Sequence, residues 1–166
     1  MRRIAQLVMV VALGVGVAAP RAETGAAHPA GPLFTNYADA KWSRILPDLD
    51  GSPEIAILHV DPKTQATKLL IRTPKGIHVR KHWHSANETH TIIVGDATFA
   101  CDGKTVVQHA GSFNWLPAKM VHEAWISAGS LAFITVDGPW DVNWVEGPPT
   151  AADLVPAPRP ARRRAR

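Results

Sequence analysis

Residues 81–90 read KHWHSANETH, which places His82, His84, Glu88 and His90 within ten positions. Four titratable groups this close either sit on a wet surface or gather around something positive. On an extended strand alternate residues share a face, so His82 and His84 point one way while Lys81 and Trp83 point the other. The three residues Ser85–Ala86–Asn87 have a length suited to a hairpin loop. Glu88 then opens a returning strand almost opposite His84, and His90 follows on the face of Glu88. If these faces coincide, two imidazoles and a carboxylate converge on one point. Such convergence is costly inside a protein, because burial opposes charged imidazole and a lone buried carboxylate is worse. Neutral imidazole nitrogens and a carboxylate oxygen turned toward a divalent cation remove that cost.

The sequence on both sides reads as a β protein. Between Glu54 and Glu146 short apolar runs alternate with turn residues: EIAILHV, ATKLLIRT, IHVRKHWH, ETHTIIVG, ATFAC, KTVVQH, SFNWL, HEAWIS and LAFITV. Asp102–Gly103 between two such runs predicts a two-residue hairpin turn, in which both central residues need positive φ. Segments this short at this spacing predict an antiparallel sandwich or barrel. No stretch in this region sustains a helical period, and no internal repeat is visible. Residues 31–53, with Trp42, Ile45, Leu46 and Pro47, are less regular and are expected to wrap an edge of the sheet.

From Gly76 the spacing is G-x5-H-x-H-x3-E-x6-G, met by Gly76, His82, His84, Glu88 and Gly95. This resembles the first sequence motif of the cupin superfamily at every interval. The second cupin motif, G-x5-P-x-G-x2-H-x3-N, is similar to GSFNWLPAKMVHEAWI, which supplies Gly111, Pro117 and His122. It departs at Lys119, where the motif has glycine, and at Ile126, where it has asparagine. Neither position is a ligand in the family, but the turn before His122 is open to a different shape. The resemblance implies a single-domain, all-β, cupin-type jelly-roll barrel over residues 31–147. It also implies His82, His84, Glu88 and His122 as the ligands of one metal. The ending ITVDGPWDVNW is similar to the closing strands of small single-domain bacterial cupins.

Other residues admit two readings. His90 is either a partner or alternative ligand at the centre, or a sheet-face histidine bonded to a neighbour. Arg80 lies on the alternation of His82 and His84, and near a barrel mouth its guanidinium could hold a substrate carboxylate by two parallel hydrogen bonds. Glu123 follows a ligand and should point away from it. The six tryptophans serve more often in cores and interfaces than in ring stacking.

The 166 residues suffice for one domain. Arg2 and Arg3, the 14-residue apolar run Ile4–Val17 and the small residues that follow form an export signal, expected over residues 1–22. The run is shorter than the about 20 residues a spanning helix needs, so no lasting membrane insertion is expected and the location is periplasmic or secreted. The single cysteine, Cys101, excludes an intrachain disulfide. The formal charge of +4 misleads if taken whole. Residues 23–147 carry ten Lys/Arg against thirteen Asp/Glu, a mildly acidic balance that argues against nucleic-acid binding. The Pro/Ala/Arg-rich stretch 148–166 is expected to be a disordered tail.

Three imidazoles and one carboxylate leave positions open on a six-coordinate ion, which suits a redox-active or Lewis-acid metal that admits a substrate. Fe(II) is favoured, with Mn(II), Ni(II), Cu(II) and Zn(II) compatible. The leading expectation is a dioxygenase-type enzyme acting on a small molecule, with Glu88 doubling as a base and Arg80 as a substrate anchor. The alternative is a non-catalytic periplasmic module that binds metal or a small ligand. A homodimer is compatible with either.

Overall fold

The structure is a computed structural model that describes residues 31–155. The export segment expected at 1–22 lies outside the described residues, as do residues 156–166. The strands are β1 (Ser43–Arg44), β2 (Glu54–Val60), β3 (Thr67–Thr73), β4 (Gly76–Trp83), β5 (Glu88–Val94), β6 (Asp96–Cys101), β7 (Lys104–His109), β8 (Phe113–Leu116), β9 (His122–Ile126), β10 (Ser130–Val136), β11 (Asn143–Trp144) and β12 (Leu154–Val155). They form two antiparallel sheets. One has the order β1-β2-β3-β10-β5-β8, and the other β11-β4-β9-β6-β7 with β12 also paired to β4. This is the jelly-roll arrangement expected of a cupin barrel. Among the described residues, no helix is long and apolar enough to cross a membrane.

The apolar runs form strands because alternate residues bury against the facing sheet. Ile55, Leu69, Ile134 and Val136 make one buried cluster with Trp140 packed against it. Ile92 of the first sheet meets Ala97, Phe99 and Ala124 of the second in another. Each fully buried aliphatic or aromatic side chain contributes about 1.5–3 kcal/mol, so the second cluster, which joins both sheets, fixes how they face one another. The Asp102–Gly103 hairpin forms as predicted, with φ of 48° and 69° and Cys101 opposite Lys104. The 31–53 segment contributes β1 to the sheet edge through Ser43 and Arg44, opposite Ile55 and Glu54.

Three expectations are corrected. The Ser85–Asn87 turn is not a hairpin within one sheet, because β4 and β5 belong to opposite sheets. The chain arches across the barrel there, so Glu88 faces the histidines from the other wall. A bulge also interrupts β4. Val79 pairs with Ala124 but His82 pairs with His122, which leaves one extra residue on the β4 side. The extra residue shifts the parity of the strand, so Ile77, Val79, His82 and His84 all line the interior. His78 and Arg80 are carried to the outer face.

The third correction concerns the tail, since the packed chain does not end at 147. Pro149 is buried, Thr150 starts a 3₁₀ turn over Ala151–Asp153 with a reciprocal Thr150–Asp153 capping box, and Leu154–Val155 add a strand opposite Ile77–Gly76. A Cβ on Gly76 would stand 3.1 Å from the Val155 carbonyl oxygen, so the glycine that opens the first motif makes room for this strap.

Candidate metal centre

Sequence and topology bring the histidines together from one sheet. His82 lies on β4 and His122 directly opposite on β9, while His84 follows the end of β4. Their ring centroids are 4.2 Å apart for His82–His122, 5.0 Å for His82–His84 and 5.3 Å for His84–His122. One nitrogen from each of the three lies within 4.8 Å of the other two. Glu88, at the start of β5 on the opposite sheet, closes the cluster. Its Oε2 is 3.0 Å from His84 Nε2, 3.5 Å from His90 Nε2 and 4.0 Å from His122 Nε2. All five side chains are buried.

The backbone sets the orientation of each ring. His82 Nδ1 donates to the Arg80 carbonyl at 2.7 Å, His122 Nδ1 to the Met120 carbonyl at 3.0 Å, and His84 Nδ1 to the Asp141 carbonyl. An imidazole that donates from Nδ1 presents an Nε2 lone pair, the form that binds a metal. His90 is fixed by a longer chain. Gln108 Nε2 donates to the Phe113 carbonyl, Asn114 Nδ2 to Gln108 Oε1, and His90 Nδ1 to Asn114 Oδ1. The backbone carbonyl at the end sets the direction of every amide, so His90 also turns a lone pair toward Glu88. His90 is thus a sheet-face histidine bonded to a neighbour, and it lies 3.5 Å from Glu88 Oε2.

The electrostatics follow from this crowding. Burial lowers the His82 pKa to about 3, with the neighbouring His122 adding to the effect. Burial likewise takes His122 to about 4. His84 goes the other way: burial alone would lower it, but the Glu88 carboxylate and the Asp141 carbonyl outweigh burial and raise it. For Glu88 burial would raise the pKa, yet His90, His84 and His122 around it bring it down to about 2.

Even so, Glu88 Oε2 is buried without a hydrogen-bond partner. A buried carboxylate oxygen in that state costs about 1–3 kcal/mol or more, and three lone pairs aimed beside it worsen the cost. Three neutral imidazoles and one carboxylate oxygen are a donor set that divalent first-row metals accept. His82, His84 and His122 therefore fit a single cation, with Glu88 Oε2 standing beside them.

Arg80 does not join them. Its guanidinium holds Asp153, with Nη2 at 2.8 Å and Nε at 3.0 Å from the two carboxylate oxygens, and it does not line the cavity. His78 and Glu123 sit on the same outer face, 2.8 Å apart. Lys119, at the position where the motif has glycine, keeps the left-handed conformation with φ 65°. Its N–H donates to the His84 carbonyl at 2.8 Å. The turn before His122 therefore retains the shape that glycine would give, at a cost of about 1–2 kcal/mol for a residue with a Cβ.

Sequence reasoning missed Asp141. Its backbone carbonyl orients His84, and its carboxylate accepts from the Ser85 N–H at 2.9 Å and from the Asn143 amide at 3.0 Å. It also missed the Asn114–Gln108 chain. The alternation of Trp140, Val142 and Trp144, all of which line the cavity, was the available signal for the closing segment. Above the donors lies a cavity of about 100 Å³ between the sheets.

Comparison with known proteins agrees with this architecture. The family model described as an AraC-like ligand-binding domain matches residues 69–165. No curated protein matches the sequence. Among solved structures, an acetylacetone dioxygenase from Acinetobacter johnsonii superposes with a TM-score of 0.57 at 16% identity, covering 76% of this chain and 86% of that one. An RmlC-like cupin from Shewanella frigidimarina gives 0.54 at 18% identity, covering 70% and 95%. KdgF from Halomonas sp. gives 0.55 at 15% identity, covering 67% and 96%. Likeness at these identities concerns the fold. Jelly-roll sheets, matching motif intervals and the family model over more than half the chain lead to one conclusion: this protein belongs to the AraC-like ligand-binding domain family of the cupin superfamily.

Proposed function

We propose that the protein is a mononuclear metal cupin that acts on a small molecule, with a dioxygenase-type reaction as its chemistry. The observation that carries the metal is the buried Glu88 Oε2, which has no hydrogen-bond partner and stands among imidazole nitrogens whose lone pairs face it. His82, His84, Glu88 and His122 would hold the ion, Fe(II) by preference. Once bound, it would supply Lewis acidity toward a ligand oxygen and, if iron, electrons for dioxygen. The rest falls to the chain itself. The carbonyls of Arg80, Met120 and Asp141 keep the three rings from turning. The apolar walls exclude water from the reacting groups. Glu88 is ionised at neutral pH, but with its pKa depressed to about 2 it is a weak base and would take a proton only from a substrate whose acidity the ion has raised. Similarity to an acetylacetone dioxygenase supports the reaction type only by analogy of fold and donor set.

A second reading is a non-catalytic ligand-binding module, favoured by the family description itself. Export to the periplasm belongs to the proposal as well, supported by the pattern of residues 1–22, as does a homodimer. The dimer is supported by the exposed Phe113 (62%) and Trp115 (55%) on the edge strand β8. Oxygen uptake by the Fe(II)-loaded protein with diketones, phenols and flavonols tests the reaction. Uptake that disappears in His84→Ala upholds the enzyme. Tight ligand binding with no uptake for any metal leaves the binding module.

A further inference from the structure

The walls of the cavity say which molecules it accepts. Among the described residues that line it there is no lysine and no arginine, and the one carboxylate is Glu88 at the donor cluster. The bulge in β4 is the reason: it turns Arg80 outward, where Asp153 occupies its guanidinium. The lining hydroxyls are also engaged, Thr73 donating to the Ser127 carbonyl at 2.8 Å and Ser130 to the Asp96 carbonyl at 3.3 Å. Trp140 adds a buried Nε1 with no hydrogen-bond partner, which is an uncharged donor. Ile71, Ile77, Val79, Ile92 and Ile134 supply apolar wall.

A ligand charge held away from the donor cluster would be desolvated against these walls with no counter-charge. The cavity of about 100 Å³ has room for about seven to ten water-sized groups at roughly 10–15 Å³ each. We infer that the site selects small, uncharged, mostly apolar molecules whose oxygen atoms are grouped at one end, and that it rejects analogues with a carboxylate at the far end. The inference rests on the metal-centre reading and names the substrate class of that same site.

Two probes isolate the charge. Octane-2,4-dione and 4,6-dioxoheptanoate carry the same β-dicarbonyl end and are nearly equal in length, but only the second ends in a carboxylate. Calorimetric titration of the Zn(II)-loaded full-length protein reads binding without turnover. The dione should bind at least tenfold more tightly. Val79→Lys, which places a cation on the wall, should narrow or reverse the preference, with retained zinc stoichiometry showing that the variant folds. Equal or tighter binding of the carboxylate by the unaltered protein overturns the inference, as does binding of neither probe, while the metal reading survives both. Failure of the unaltered protein to take up zinc overturns both. Selective dione binding without oxygen uptake by the Fe(II) form removes only the dioxygenase reaction.

Discussion

Two clusters of histidine and carboxylate lie on opposite faces of the same strand, and they resolve their charges differently. On the outer face of β4, His78 meets Glu123 at 2.8 Å and also stacks on Trp125 with centroids 4.6 Å apart. Arg80 and Thr150 satisfy Asp153, whose pKa is held at about 2, chiefly by the Arg80 hydrogen bond. There the protein supplies every partner. On the inner face the ingredients are similar, but among the described residues no arginine or serine bonds to Glu88, and its Oε2 has no hydrogen-bond partner. The outer cluster is a clasp for the C-terminal strap. On the proposed reading, the inner one is completed by a cation. Residue type alone does not separate a structural cluster from a functional one. The separation comes from counting which buried polar atoms the chain leaves unmet.

The largest test of this contrast is metal removal. A cation bound only by the native state should stabilise it by about 3–4 kcal/mol at hundreds of times Kd. Chelator should therefore lower the melting temperature by several degrees, measured by calorimetry. His84→Ala should abolish that response. A chelator effect that persists unchanged in the variant would place the ion elsewhere.

The chelated protein should next show a marked acid sensitivity. His82 and His122 titrate near 3 and 4 in the fold, lowered from 6.5. Between those values the unfolded chain binds protons that the native state refuses, so stability is full above 6.5 and falls as pH drops toward 4 and 3. Denaturant midpoints across this range read the loss. A flat profile from pH 7 to 4 would contradict the tight packing of neutral rings.

Smaller still is the effect expected on the outer face. Asp153→Ala removes the Arg80 pair and the cap at Thr150, with an expected loss of about 1–2 kcal/mol and no change in metal stoichiometry. Loss of metal in that variant would show that the two clusters are not independent. Last comes Lys119→Gly, which relieves the left-handed strain but adds unfolded-chain entropy. A gain of a few tenths to about 1 kcal/mol is expected.

Much of this was legible in the sequence because strand alternation and motif spacing are local. Runs such as LAFITV and the Asp102–Gly103 turn declare themselves within a few residues. The convergence of His82, His84, Glu88 and His122 between the sheets was legible from the motif intervals. What was not legible depended on one inserted residue and on distant pairing. The β4 bulge reverses the face of Arg80, and no local pattern marks it, since it exists only as a mismatch with β9 some forty positions later. The strap at 148–155 looked like disorder because its proline-rich composition carries no strand period. Its cap and its two-residue strand become visible only when Gly76 is seen to leave space for them. Asp141 acts through its carbonyl, which any residue possesses, so its side chain gave no clue.

The placement of Glu88 on β5, across from the three imidazoles, has a mechanical consequence. An ion held by all four would act as a rivet through the sandwich, tying the β4–β9 wall to the β5–β10 wall at the level of the histidines. Amide exchange should then slow on both ladders together when the ion is loaded. The spacing of the two sheets, and with it the width of the cavity, would be set by occupancy of the centre as much as by the core.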